Sequence, residues 1–229
     1  MTDGRERKIE RFDGPLAVLA DIAGNLTALD AALIGCRQAG ASAIFVAGGL
    51  CHGGDDPLGV WQRLQEIGAR SVRGTADLAL SAVDPQNLRP IDQAQRAAVE
   101  RLRATRARLG EIILARLRRL PDALRVEFAS GAELAVMSGS PRDPMSPLTH
   151  DLTDDELLSL VGDDGADVIV SGGAGVPFVR PLDGLTVVGA GSVGDAPENR
   201  GRDRDRAAHF TLISPSDEGL RIEPRWVLY

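Results

Sequence analysis

Lysine is all but missing from this chain. Lys8 is the only one, and arginine supplies the rest of the basic charge. That bias reflects a GC-rich coding sequence and carries no functional information. Aromatic residues make up 3 % of the chain, too few for a platform on which bases could stack. Net charge is −7, which argues against nonspecific binding to nucleic acid. No apolar run approaches the roughly 18 residues that would cross a bilayer, so no membrane association is expected. The first residues, Met1 to Lys8, are charged and lack an apolar core, so they do not read as a secretory signal. The expected location is the cytoplasm. The only cysteines, Cys36 and Cys51, have no metal-ligand spacing, and a disulfide between them is not expected there.

What is present suits one domain. The 229 residues are 43 % hydrophobic, enough for a full core. Residues 1–14 are polar and read as a flexible N-terminus, with residues 15–229 as a single domain. Leu16 to Ala20 is a short apolar run ending at Asp21, the pattern of a buried strand that delivers a residue to its C-terminal edge. Leu26 to Ala39 has helical spacing and stops at Gly40. Ala43 to Ala47 is a second buried strand, residues 57–68 a helix from Pro57 to Gly68, and residues 71–73 a third strand. Residues 91–119 form the longest helical pattern, with Arg spread among Ala and Leu. It reads as one or two amphipathic helices with a solvated arginine face, and a partner-binding or oligomer helix stays open. Beyond Leu124 the period shifts toward strands: 124–128 and 132–138 flank the turn pair Ser130-Gly131. Thr153 and Glu156 have capping-box spacing for a helix over 153–161. Strands are expected at 167–171, 185–188, 207–213 and 220–227. The bare pattern supports a mixed α/β or α+β domain.

Several short segments stand out in order: Asp21-Ile-Ala23-Gly-Asn25, Gly48-Gly49, Gly74-Thr75-Ala76-Asp77, Ser138-Gly-Ser140-Pro, Gly172-Gly173-Ala-Gly175 and Gly191-Ser192-Val-Gly194. Order, spacing and flanking residues resemble the calcineurin-like metallophosphoesterases, whose signature reads D-x-H-G-N, G-D, G-N-H-D or G-N-H-E, H-G-S-P, G-H-x-H and a late N-P-G-S-V-G turn. The resemblance covers nearly the whole chain. It implies a four-layer αββα sandwich, two mixed β-sheets flanked by helices.

Carried over position by position, it implies a two-metal site from which the ligands have gone. Asp21 matches the first aspartate ligand. Ala23 stands at the following histidine, Gly49 at the bridging aspartate, Thr75 at the asparagine and Ala76 at the neighbouring catalytic histidine. Ser138 stands at the histidine before G-S-P, and Gly173 and Gly175 at the paired histidines. Two divalent ions a few ångströms apart need several anionic or imidazole donors. Glycine and alanine offer none, and Thr75 and Ser138 only neutral hydroxyls. A single carboxylate supports at most one weakly held, mostly hydrated Mg²⁺. No bound metal and no other cofactor is therefore expected. The resemblance and the missing ligands point to a catalytically degenerate protein, a pseudoenzyme acting as a binding or regulatory module. A repurposed enzyme using the emptied pocket for a small organic substrate, and a residual one-metal phosphoesterase, stay open beside it.

The emptied space would be bordered by polar groups. Asp21, without metals, is expected to draw hydrogen bonds from backbone N–H groups or from Asn25. Asn25 is also placed to cap the following helix. Arg73 would pair with Asp21 or Asp77, or bind an anion. Asp77 reads as turn-stabilising. His52, in the loop Cys51-His52-Gly-Gly-Asp55-Asp56, is either a solvent-exposed loop histidine or a base or ligand. Cys51 is open to pocket-facing and buried readings, whereas Cys36 reads as a small buried hydrophobe. Ser140, Arg142 and Ser192 sit in turns near the family's site and could receive an anion. His150 and His209 read as structural, and residues 195–206 as a charged loop or flap. Were the pocket reused for catalysis, Asp21, His52 and Asp77 are the acid–base candidates. The partner, small molecule or protein, is not identified by the sequence, and homo-oligomerisation is compatible with the Arg-rich helix.

Overall fold

The computed structural model describes residues 9–199, 205–217 and 219–229. Among these residues, eleven strands form two sheets. A six-stranded mixed sheet runs β1(Ile9–Phe12), β5(Ala123–Phe128), β6(Glu133–Met137), β7(Val168–Ser171), β9(Leu185–Ala190) and β8(Pro177–Leu182). A five-stranded sheet runs β11(Gly219–Leu228), β10(Ala207–Ser216), β2(Leu16–Leu19), β3(Ala43–Val46) and β4(Arg70–Ser71). The sheets pack face to face. Leu16, Val18, Phe45 and Ile213 of one meet Val126, Val136, Val170 and Val188 of the other in a core that excludes water. α1(Leu26–Gln38), α2(Pro57–Glu66) and the long α4(Gln93–Arg118) cover the outer face of the five-stranded sheet, joined through α3(Thr75–Ala82). α5(Asp154–Val161) covers the other sheet through Leu157 and Val161. The expected four layers are present.

β2 is buried on both faces because it lies between the two cores, which is why it reads as an unbroken apolar run. Asn25 caps α1 by accepting from Ala28 N at 3.0 Å, and Thr153 and Glu156 close the expected capping box on α5. α4 is interrupted at Gly110, whose φ of 71° breaks the helical run. Its arginines are not all solvated. Arg106 donates to Leu80 O at 2.6 Å and Arg118 donates to Ser81 O, so both satisfy carbonyls at the end of α3.

Three elements correct the sequence reading. β8 lies where no strand was expected. Ile9–Phe12, expected within the flexible N-terminus, is an edge strand paired in parallel with β5. Residues 75–82, read only as a motif, form α3. Residues 1–8 lie outside those described. No helix among the described residues is long and apolar enough to cross a membrane.

Candidate functional site

The strands place the motif segments together at one end of the sandwich. Asp21 N donates to Gly48 O at 3.1 Å and Ala23 N to Gly49 O at 2.8 Å, which ties the loop after β2 to the loop after β3. Gly173 N donates to Ser138 O at 2.9 Å and Gly194 N to Asp21 O at 2.9 Å, bringing in the loops after β6, β7 and β9. Gly48 sits so close to Gly74 and Ser138 that a Cβ there would lie 2.8 Å from Gly74 Cα and 2.9 Å from Ser138 Oγ. The residues at 21, 49, 74–77, 138 and 173 thus converge.

Asp77 organises this centre. It is fully buried and accepts three backbone N–H groups: Gly49 at 2.8 Å, Leu50 at 2.9 Å and Gly74 at 3.0 Å. Burial pushes its carboxyl up, against the pull of the N–H groups of Gly74, Leu50, Gly49 and Cys51. Its oxygens are spent on the frame, as the turn-stabilising reading expected.

Asp21 differs from expectation. Its backbone has a φ of 48°, in the left-handed region. No donor among the described residues reaches its carboxylate: Asn25, one expected donor, caps α1 and donates Nδ2 to Tyr229 OH at 3.2 Å. Desolvation, with smaller contributions from Asp195 and Asp77, raises the Asp21 carboxyl from 3.8 to about 7.

The resemblance implies two metal ions here, and the donor set does not fit them. No group of three or more His, Cys, Asp or Glu among the described residues could hold an ion. Thr75 is exposed and carries only a hydroxyl. Ser138 is buried against Gly48 and Gly74. Gly173 is exposed, Ala23, Ala76 and Gly175 are half-buried, and none of the four has a side-chain donor. A side chain at Gly49 would collide with the Asp21 carboxylate.

Other expected lining residues point elsewhere. Arg73, in the loop after β4, turns away from the site, donating to Arg118 O at 2.8 Å and to Asp122 at 2.6 Å. Ser140 Oγ donates to Asp143 O at 3.0 Å, and Ser192 Oγ donates to Asp21 O at 3.2 Å and accepts from Asp195 N. Both are consumed by turns. Arg142 is exposed and folds over Gly162, away from the site. Cys51 joins Cys36 in the core, where burial raises both thiols, Cys36 to about 12. His150 is exposed. His209 is buried with Nε2 2.8 Å from Glu198, and burial lowers its pKa against the pull of that carboxylate.

Open space lies beyond Ala23, and Asp21 is not among the residues that line it. A cavity of about 960 Å³ is bounded by Ala23, Asn25, His52, Arg101, Asp195 and Tyr229, with the Gly53–Asp56 loop along one side. His52 and Asn25 were legible as candidates. Arg101 and Tyr229 were not, since one arginine of α4 looks like another until the fold selects a face. Burial and the charge of Arg101 lower the His52 pKa. The loop after β9 is fixed by Asn199, whose side chain donates to Ala207 O at 2.7 Å and accepts from Ala207 N at 2.8 Å. The expected flap falls partly on residues 200–204, outside those described.

No protein-family model matches the sequence, and no curated protein matches it. Solved structures do match. A hypothetical protein from Pyrococcus horikoshii OT3 superposes with a TM-score of 0.74 at 22 % identity, covering 94 % of this chain and 88 % of that one. A metallophosphoesterase from Sphaerobacter thermophilus gives 0.67 at 21 % identity, with 93 % and 88 % covered. The fold is one this chain shares with a metallophosphoesterase. Yfce, a phosphoesterase from E. coli, gives 0.51 at 18 % identity, with 93 % and 98 % covered. At these identities the likeness concerns the metallophosphoesterase fold, and chemistry has to be argued from the site itself.

Proposed function

We propose that this chain is a metallophosphoesterase-fold protein that has given up two-metal hydrolysis and serves as a binding or regulatory module. The observation that carries this reading is the relation of Asp21 to Gly49. The position where the fold's signature places a bridging carboxylate is a glycine, and the one carboxylate left at a metal-ligand position of the signature folds against it. Two-metal catalysis needs an ion on each side of the transferred phosphoryl group, and Asp21 alone cannot hold such a pair. The cavity bordered by Ala23, Asn25 and His52 supports this reading by offering room for a ligand.

A second reading is a repurposed, metal-independent enzyme. It is favoured by Asp21, whose carboxyl is raised to about 7, where a group can both give and take a proton. His52, whose pKa burial and the charge of Arg101 lower, is the other acid–base candidate.

The test is native mass spectrometry of the gently purified chain with and without Mn²⁺, run beside hydrolysis of bis(p-nitrophenyl) phosphate. A mass unchanged by metal and no metal-stimulated turnover support the binding module. Two added ions with turnover abolished by Asp21→Ala would overturn it. A retained organic mass whose conversion stops in Asp21→Asn would favour the second reading.

A further inference from the structure

The two helical layers of the sandwich carry opposite charge. α4, outside the five-stranded sheet, has seven arginines and two glutamates, and α5, outside the six-stranded sheet, has three acids and no base. Each of these helices also leaves one large apolar side chain in solvent. Ile112 on α4 is 76 % exposed and Leu158 on α5 is 45 % exposed. Leu114 and Leu117 turn inward beside the first, and Leu157 and Val161 beside the second, so neither core depends on the exposed residue.

Helical spacing fixes what stands next to these two residues. Beyond the break at Gly110, Arg116 comes four residues after Ile112 and lies one turn along the same face. On α5, Asp154 and Asp155 come four and three residues before Leu158, again one turn along its face. Each apolar residue thus has charge of a single sign beside it, cationic on α4 and anionic on α5. Arg180 already holds Asp154 at 2.8 Å, so Asp155 is the carboxylate available to a second cation. The exposed Ile34 of α1 is the contrast: Asp30 comes four residues before it and Arg37 three after, so its face carries both signs.

The order of the groups is opposite as well. Along α4 the apolar residue precedes the cation, and along α5 the anions precede the apolar residue. Two such helices laid antiparallel put Ile112 against Leu158 and, about 6 Å further along, Arg116 against Asp154 and Asp155. α4 and α5 cover opposite sides of the molecule, so one copy cannot close this pair by itself.

We infer that the α4 face around Ile112 and Arg116 docks on the α5 face around Leu158 and Asp155 of a second copy of this chain. The contact is heterologous. A pair leaves one α4 face and one α5 face free, and growth continues unless the contacts close into a ring. The net charge of −7 opposes approach at long range, but at about 0.1 M salt it is screened beyond roughly 10 Å. None of these residues lines the cavity bordered by Ala23 and His52, so the inference does not rest on the binding-module reading.

The experiment is sedimentation velocity on the full chain over a range of concentrations, at about 0.1 M and about 1 M salt. At the lower salt the parent is expected to run heavier than its 24.2 kDa monomer as concentration rises, and at the higher salt to return toward monomer. Arg116→Glu places an anion on the α4 face, and Asp155→Arg places a cation on the α5 face. Each variant alone should need about tenfold more protein to associate. Mixed, the two should associate as the parent does, because the α5 face of the first and the α4 face of the second are both native. Arg116 and Asp155 are exposed, so both variants should melt with the parent. Ile112→Ser, which leaves every charge in place, should weaken association too. A parent that stays monomeric at the lower salt overturns the inference. So does association that survives both charge reversals, or a mixture no more associated than its parts. These measurements involve no metal and no substrate, so their failure is distinct from failure of the proposed function.

Discussion

The carboxylate of Asp21 lies in the place that a side chain on Gly49 would take: a Cβ built there would come 2.8 Å from Asp21 Cα and collide with Oδ1. Gly49 has a φ of 72°, so its backbone also disfavours any other residue. The two positions are coupled, and restoring one ligand of the family signature does not restore a site.

Gly49→Asp is therefore expected to fail as a repair. It should lower stability by about 2 kcal/mol or more, from backbone strain and overpacking. It should also leave Mn²⁺ binding undetectable by calorimetry. Tight binding of even one ion by this variant would show that Asp21 swings aside easily.

Asp77 is expected to matter for folding. Asp77→Ala leaves the N–H groups of Gly49, Leu50 and Gly74 buried without an acceptor, at about 1–3 kcal/mol for each group not rescued by water. Urea denaturation should show a loss of about 3 kcal/mol or more, and Asp77→Asn, which keeps one acceptor oxygen, a smaller one. A change below about 1 kcal/mol for the alanine variant would deny Asp77 its structural role.

Stability should depend on pH through Asp21. Its carboxyl titrates at 3.8 when unperturbed and at about 7 in the folded chain. Between those values the folded state holds a proton that the unfolded state has released, so stability falls as pH rises. The contribution is fully present below 3.8, declines across the interval and is gone above about 7. Asp21→Asn should flatten that part of the stability curve and be the more stable protein at about pH 8, by on the order of a few kcal/mol. Parallel curves for parent and variant would place the Asp21 titration at its ordinary value.

The buried trio at the edge of β5 gives a further check. Arg125 pairs with Glu133 and Asp164, and Arg125 and Asp164 are 9 % and 6 % exposed at their side chains. Asp164→Ala leaves a guanidinium half-neutralised in the interior and should cost about 3–5 kcal/mol. Joint replacement of all three by apolar residues of similar volume should cost much less. Equal losses for the single and triple variants would contradict this.

Much of the frame was legible because burial leaves a plain record. Leu16–Leu19 and Ala43–Val46 are apolar throughout since both sheet faces are covered. Asn25, Thr153 and Glu156 announce helix starts by side-chain chemistry that is local in sequence. β1 was missed because Ile9-Glu-Arg-Phe12 is a half-exposed edge whose only partner, β5, lies more than a hundred residues away. The site was legible as a set of positions but not as a set of directions. Arg73 lies next to the Gly74 motif yet faces Asp122, and Asp21 lacks its expected donors because its left-handed backbone sets the carboxylate against Gly49. Such outcomes depend on local backbone angles and on which side chains reach a partner first, and residue spacing does not encode them.

The Asn199 side chain imitates a strand partner, meeting both the N–H and the C=O of Ala207. It thereby sets where β10 begins, so at this edge a single amide does what a neighbouring strand does elsewhere in the sheet.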